Sequence, residues 1–284
     1  MKLRLGIFAV VLLLLPLAGL YLGGASLHHP ASADLPDVGS VPATLRTSIM
    51  LMLYTLLINH VIKRITGNAP MDSRRGYFIR VSIASALTGW LFSYLNLFID
   101  SWTVPQYGPM ILQALLYTPL YALLAPAVLI TRDLLTSFPV LAASLTFRNT
   151  ASGIPRLTRQ RLQIAVTFIG LTGGVMWPAQ LFWLFWLSPL TLLMALQKHD
   201  ETTTSKSTDL SPAFFSALSG MFIGNLAVIS YQSNAYLQIN LPNMMVAQTG
   251  LALFGLLCLQ IGKLIPGSQS NLLNPEPAIA SKKS

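Results

Sequence analysis

The sequence has 284 residues, of which 53% are hydrophobic and only 10% are charged, and its formal net charge is +9. A soluble domain carries about 25% charged residues, so this chain lacks the polar groups needed to cover itself with a wetted surface. The excess of Lys and Arg is typical of cytoplasmic loops and does not indicate a nucleic-acid partner. A single cysteine, Cys258, excludes an internal disulfide and any Cys-x-x-Cys metal or redox motif.

The first apolar stretch, residues 5–24, follows the basic residues Lys2 and Arg4. About 20 apolar residues are enough to cross a bilayer core of ~30 Å as a helix. The alternative is a secretory signal peptide cleaved after Ala33 or near Gly24. We favour a retained span because the apolar run is long and Ala33 lies far beyond its end.

The apolar stretch 162–197 decides the topology of the second half, because it holds no charged residue. As one helix it would be ~54 Å long, which exceeds the bilayer core. Pro178 lacks an N–H and disfavours helix at Trp177, so a break is available there. A hairpin with a cytoplasmic N-terminus also leaves every Lys and Arg except Arg46 inside, whereas a single crossing moves the basic residues from Lys198 onward outside.

We therefore predict an all-α, polytopic integral membrane helix bundle of about eight transmembrane helices, with both termini in the cytoplasm. Seven helices remain if the first is a cleaved signal. Residues 1–262 form a single transmembrane domain, and residues 263–284 form a disordered cytoplasmic tail. The predicted spans are 5–24, 45–62, 81–99, 109–131, 162–176, 180–197, 212–232 and 244–262.

Signatures of catalysis do not occur in the sequence. There is no HExxH, GxSxG or P-loop motif, and no pair of carboxylates at helical spacing within a span. The middles of the spans contain no Asp, Glu, Lys or Arg, which pumps and proton-coupled carriers place there. His60 is the nearest candidate for a proton relay, but its position beside Lys63 favours a hydrogen-bonded or headgroup-facing side chain. We expect no catalytic residue, no metal and no bound cofactor.

Two sets of polar residues are candidates for ligand contacts. Uncharged residues in the outer halves of the spans either hold helices together or line an outward-facing pocket for a neutral or amphipathic ligand. Basic residues next to the spans either fix the topology or contact anionic lipid headgroups. The pocket candidates are Tyr94, Asn96, Gln113, Tyr117, Asn225, Tyr231 and Gln248. The headgroup candidates are Arg74, Arg75, Arg156, Arg159 and Arg161.

Three functions fit these features. We expect a non-enzymatic accessory or structural subunit of a membrane assembly in the cytoplasmic (inner) membrane of a bacterium. Its partners would be membrane lipids and other membrane proteins, and no nucleic acid. The alternative is a small permease or flippase for a neutral or lipid-like solute, which would use the outer polar groups and the helices broken at proline. A lipid-modifying membrane enzyme is the third interpretation.

Overall fold

The computed structural model describes residues 40–103, 109–138, 148–149, 156–197, 208–209, 211–232 and 238–267. The predicted span at 5–24 and the predicted tail beyond residue 267 lie outside these residues.

Helices dominate the described part of the chain, so the predicted all-α bundle is confirmed at the level of fold class. Five helices are long and apolar enough to cross a membrane: α1, α3, α4, α7 and α8. A sixth helix, α6, contains a shorter apolar segment, Gln180–Leu196. The helices are α1 (Ser40–Thr66), α2 (Pro70–Ser73), α3 (Arg75–Ile99), α4 (Met110–Thr136), α5 (Arg156–Met176), α6 (Pro178–Leu196), α7 (Ser211–Gln232) and α8 (Met244–Leu264).

Helix α4 forms the centre of the bundle, because it packs against α1, α3, α7 and α8. Its residues Ala127, Val128 and Ile130 are completely buried, although Pro119 and Pro126 lie inside the same helix. Side chains that are this close-packed tolerate little change in volume. The α5–α6 hairpin joins this core through α6, which packs against α8.

Small residues allow α7 and α8 to approach each other backbone to backbone. Ser216, Gly220 and Gly224 lie one turn apart on α7 and face Gly255 and Leu251 of α8. A Cβ atom added at Gly255 would overlap the carbonyl oxygen of Ser216 and lie 2.9 Å from the Cα atom of Gly220. Small residues at such spacing drive helix association in membranes, where the hydrophobic effect contributes little.

Helices α5 and α6 form an antiparallel hairpin, and the break between them falls at Trp177, where the sequence predicts it. The hydroxyl oxygens of Thr167 and Thr191 are 2.8 Å apart, and Gln160 Nε2 donates to the carbonyl oxygen of Ala195 at 3.2 Å. The two helices therefore stay in contact from the turn to their far ends.

Four two-residue strands connect the loops: β1 (Trp102–Thr103), β2 (Arg148–Asn149), β3 (Thr208–Asp209) and β4 (Gln238–Ile239). Antiparallel β1 and β4 bring the α3–α4 and α7–α8 loops together. Antiparallel β2 and β3 bring the α4–α5 and α6–α7 loops together, with Arg148 opposite Asp209. We name the second end the basic end, because every described Lys and Arg except Arg46 lies at or near it.

Four helices extend five or six residues beyond their predicted spans. α1 begins at Ser40 instead of 45, α3 begins at Arg75 instead of 81, α4 continues to Thr136 instead of ending at 131, and α5 begins at Arg156 instead of 162. The predicted spans in α3, α4 and α5 stop beside Arg80, Arg132 and Arg161, whereas the helices continue past these charged residues. Residues 132–136 therefore belong to α4, and residues 139–147 lie outside the described residues.

Candidate functional site

An ion-paired cluster lies at the basic end, where the start of α3 meets the end of α4. Arg74 Nη2 donates to Asp133 Oδ2 at 2.9 Å. Arg132 donates to Asp133 Oδ1 from Nε at 3.1 Å and from Nη2 at 2.6 Å. The three side chains are largely buried, with relative exposures of 15% for Arg74, 18% for Arg132 and 10% for Asp133. One carboxylate thus bridges two guanidinium groups that belong to different elements.

Aromatic rings support this cluster from α3. The guanidinium carbon of Arg74 lies 5.5 Å from the ring centroid of Tyr77 and 5.7 Å from that of Phe78, at cation–π distance. The Tyr77 hydroxyl donates to the carbonyl oxygen of Gly262 at 3.3 Å, which ties the end of α8 to the same place. The cluster is therefore held by α3, α4 and α8 together.

Of the five arginines proposed from the sequence as headgroup contacts, only Arg74 belongs to this cluster. Arg75, Arg159 and Arg161 are exposed, and the side chain of Arg156 lies outside the described set. The sequence alone singled out neither Arg132, which directly follows the predicted span 109–131, nor Asp133. The available signal was an Arg-Asp pair directly after an apolar span, where an unpartnered acid would be costly.

The segment 156–161 is expected to fix orientation through its charge alone. Replacing Arg156, Arg159 and Arg161 together by Gln should lower the abundance of correctly oriented protein, because three positive charges next to a span favour cytoplasmic retention. The matched Lys triple variant should behave like the wild type, since retention depends on charge. Quantitative immunoblotting measures the abundance of each variant, and protease accessibility measures its orientation. If the Lys variant lost as much correctly oriented protein as the Gln variant, the guanidinium groups themselves would be required, as in bidentate recognition of an anion.

Two of the predicted pocket residues pair with each other across the α7–α8 interface. Asn225 Nδ2 donates to Gln248 Oε1 at 2.8 Å, and Gln248 Nε2 donates to Asn225 Oδ1 at 2.8 Å. Asn225 is almost completely buried. A reciprocal amide pair satisfies groups that would be costly to leave unpaired, and it fixes the register of the two helices.

The other predicted pocket residues lie apart from that pair. Asn96 accepts from the Ser101 N–H at 2.9 Å and donates to the Trp102 carbonyl at 2.6 Å, so it closes the turn after α3. Tyr94 is exposed and packs edge-on against Phe98. Gln113 is half-buried near the start of α4, Tyr117 is buried and stacked on Tyr121, and the side chain of Tyr231 lies outside the described set. The pocket that these residues would share stays a prediction.

A side chain from α3 contacts the backbone of α4 near its centre. The Ser85 hydroxyl donates to the Tyr121 carbonyl at 2.5 Å and accepts from the Ala125 N–H at 3.0 Å. Pro126 follows directly and has no N–H of its own. The Tyr121 hydroxyl also lies 2.6 Å from Ser93 Oγ. Helix α4 nevertheless continues from Met110 to Thr136 through Pro119 and Pro126, so these prolines do not end the helix, although the sequence predicts a break there.

Comparison with known proteins returned no relative: no protein-family model, no curated protein and no solved structure matches this chain. The function must therefore be inferred from the sequence and from the geometry of the chain. Within the described residues, no group of three or more His, Cys, Asp and Glu side chains comes together. His60 is exposed, and its Nε2 accepts from Arg64 Nε at 3.3 Å, which fits the hydrogen-bonded interpretation of this residue.

Proposed function

We propose that this chain is a non-enzymatic, multi-pass protein of the bacterial cytoplasmic membrane that serves as an accessory or structural subunit of a membrane assembly. The observation that carries the proposal is the exposed apolar face of α3. Only 11% of the apolar segment of α3 is buried in the bundle, compared with 39–50% for the other four long apolar helices. Ile79, Ile83, Leu87 and Leu91 follow one another every four residues on that face, and all are exposed.

The polar contacts within the bundle support the same proposal. Asn225 and Gln248 bond to each other, the Tyr54 hydroxyl lies 2.8 Å from Thr131 Oγ1, and Trp90 Nε1 donates to Thr118 Oγ1 at 3.0 Å. Hydrogen bonds of this kind hold helices together in a membrane. These side chains act as internal connections, and their polar atoms are engaged with the protein itself.

Partner contact at α3 can be tested by photo-crosslinking in living cells. A photoreactive amino acid at Leu87, which is 68% exposed, should yield a discrete crosslinked protein that also co-purifies in a gentle detergent. The same photoreactive amino acid at Leu57, which is exposed on α1, serves as the matched control on a different helix. Adducts to lipid alone at both positions, with no co-purifying protein, would contradict the accessory-subunit proposal.

We further propose eight spans with both termini in the cytoplasm. The pairing of β2 with β3 supports the hairpin, because it joins the loops before α5 and after α6 at one end. Trp186 of α6 stacks on Phe92 at 5.1 Å, packs against Trp102 at 4.8 Å and donates from Nε1 to Ser101 Oγ at 3.3 Å, so it lies near the end of α3. From Trp186, α6 extends about 13 Å back to Trp177, at about 1.5 Å per residue. The hairpin turn thus reaches the same end as the end of α3.

Cysteine labelling tests this topology. In a Cys258→Ala background, Ala179→Cys at the hairpin turn should react with an impermeant maleimide added to intact spheroplasts. Thr203→Cys, in the predicted α6–α7 loop, should react only after the membrane is opened, because the basic end faces the cytoplasm. Labelling of Thr203→Cys in intact spheroplasts would rule out the eight-span topology.

A small permease for a neutral or lipid-like solute is the second candidate, and the contact of Ser85 with the backbone of α4 beside Pro126 favours it. Transporters place broken helices near the middle of the membrane, where freed carbonyl groups contact the solute. Here Ser85 occupies that position beside Pro126. Under this alternative, a cysteine replacing Ser85 should be accessible to small maleimides and protected by a transported solute.

A further inference from the structure

The three residues Arg74, Asp133 and Arg132 together carry one net positive charge. Both carboxylate oxygens of Asp133 already accept hydrogen bonds, Oδ2 from Arg74 and Oδ1 from Arg132. Two guanidinium groups therefore share one negative charge in a largely buried setting. Separating charge from water is costly unless the charge is paired, so such a cluster favours an additional anion.

Several guanidinium N–H groups of the cluster have no acceptor among the residues that the structure describes. An arginine has five N–H donors, and Arg74 uses one nitrogen and Arg132 two nitrogens to contact Asp133. Neither residue makes a further hydrogen bond within the described ranges. Their nitrogen atoms are also not sealed inside the protein, since Ser216 Oγ is the only fully enclosed polar side-chain atom without a partner in the described residues. The free donors are thus open to a ligand.

A third cation lies at the edge of the cluster. Lys263 follows Gly262, whose carbonyl oxygen accepts from Tyr77, and the Tyr77 ring lies 5.5 Å from the guanidinium carbon of Arg74. The side chain of Lys263 is exposed, so its charge can reach an anion that the two arginines bind.

We propose that Arg74, Arg132 and Lys263 form a binding site for the phosphate group of an anionic ligand, with Asp133 as the residue that aligns the two guanidinium groups. Guanidinium groups offer paired donors that match phosphate oxygens, and Lys supplies a compact charge. The site lies at the start of α3 and the ends of α4 and α8, where the apolar segments stop, and we expect this level to coincide with the lipid headgroups. Basic pockets between membrane helices on the cytoplasmic side bind such headgroups. This site is independent of the accessory or permease role of the bundle.

Binding can be measured on the purified full-length chain in a neutral detergent by native mass spectrometry and thermal unfolding. The probes are short-chain phosphatidylglycerol, phosphatidylcholine of the same chain length, and inorganic phosphate. Phosphatidylglycerol should bind saturably and raise the unfolding midpoint. Arg132→Gln should weaken the apparent affinity by about tenfold, because one charge-assisted contact is lost while Arg74 and Asp133 remain a neutral pair.

Two further variants separate a specific site from general surface charge. Lys263→Gln, at an exposed position that should not affect folding, is expected to weaken phosphatidylglycerol binding by about threefold, as a single exposed charge contact would. Arg75→Gln removes an exposed charge next to Arg74 and should leave the affinity unchanged. Saturable binding of inorganic phosphate that is lost in Arg132→Gln would identify a soluble phosphate as the source, and binding of phosphatidylglycerol alone would identify the lipid. Equal binding of both lipids without phosphate binding, or equal losses in Arg75→Gln and Arg132→Gln, would overturn the proposal.

Discussion

Asp133→Ala is expected to remove most of the folded protein. The substitution leaves the guanidinium groups of Arg74 and Arg132 largely buried without the carboxylate that both contact at 2.6–2.9 Å. Removing one partner of a buried ion pair costs about 3–5 kcal/mol. A typical folding free energy is only about 5–15 kcal/mol, so the loss is a large part of the total. A fluorescent fusion analysed by size-exclusion chromatography after heating reports the surviving monodisperse fraction.

Asp72→Ala is the matched control for this experiment. Asp72 lies at the same end of the bundle, two residues before Arg74, but its side chain is exposed. Its loss should change the unfolding midpoint little, because exposed charges contribute about 0–1 kcal/mol. Adding Arg74→Gln to Asp133→Ala should recover part of the stability, since it removes one of the two unpaired cations. Equal unfolding midpoints for Asp72→Ala and Asp133→Ala would show that the cluster does not stabilise the fold.

The break at Trp177 was predictable because its causes are local. Pro178 acts on its immediate neighbours, and the length of the apolar stretch can be compared directly with the thickness of a bilayer. The Arg74–Asp133 pair has no such signal, because its members are 59 positions apart and meet only through the packing of α3 on α4. Composition indicates which residues are costly to bury, but it does not identify the partner that compensates them.

The polar residues of the spans show the same limit. The sequence placed Asn225 and Gln248 in the outer halves of neighbouring spans and left open whether they hold helices together or line a pocket. Their mutual hydrogen bonds at 2.8 Å depend on the register of α7 against α8. That register depends in turn on Ser216, Gly220 and Gly224, whose four-residue spacing was visible in the sequence. Their contact with Gly255 was not, because it requires the facing helix to be known.

The close approach of α7 and α8 leads to the second large expected effect, which is the loss of folded protein on replacing Gly255. In Gly255→Ala the new Cβ atom would overlap the carbonyl oxygen of Ser216, a backbone atom that cannot move aside without displacing α7. Overpacking of a core by one or two carbon atoms costs about 1–3 kcal/mol, and more where backbone must shift. The unfolding midpoint of Gly255→Ala should therefore fall clearly, and Gly255→Leu should yield little monodisperse protein.

Gly250→Ala is the matched control, because it lies on the same helix, five residues earlier, with no atom within 4 Å of an added Cβ. At such an open helical position, Ala is favoured over Gly by about 0.5–1 kcal/mol, so this variant should be as stable as the wild type or slightly more stable. The two substitutions are chemically identical and are expected to act in opposite directions, which separates helix propensity from the contact between α7 and α8. If Gly255→Ala were as stable as Gly250→Ala, the two helices could not approach each other as closely as described.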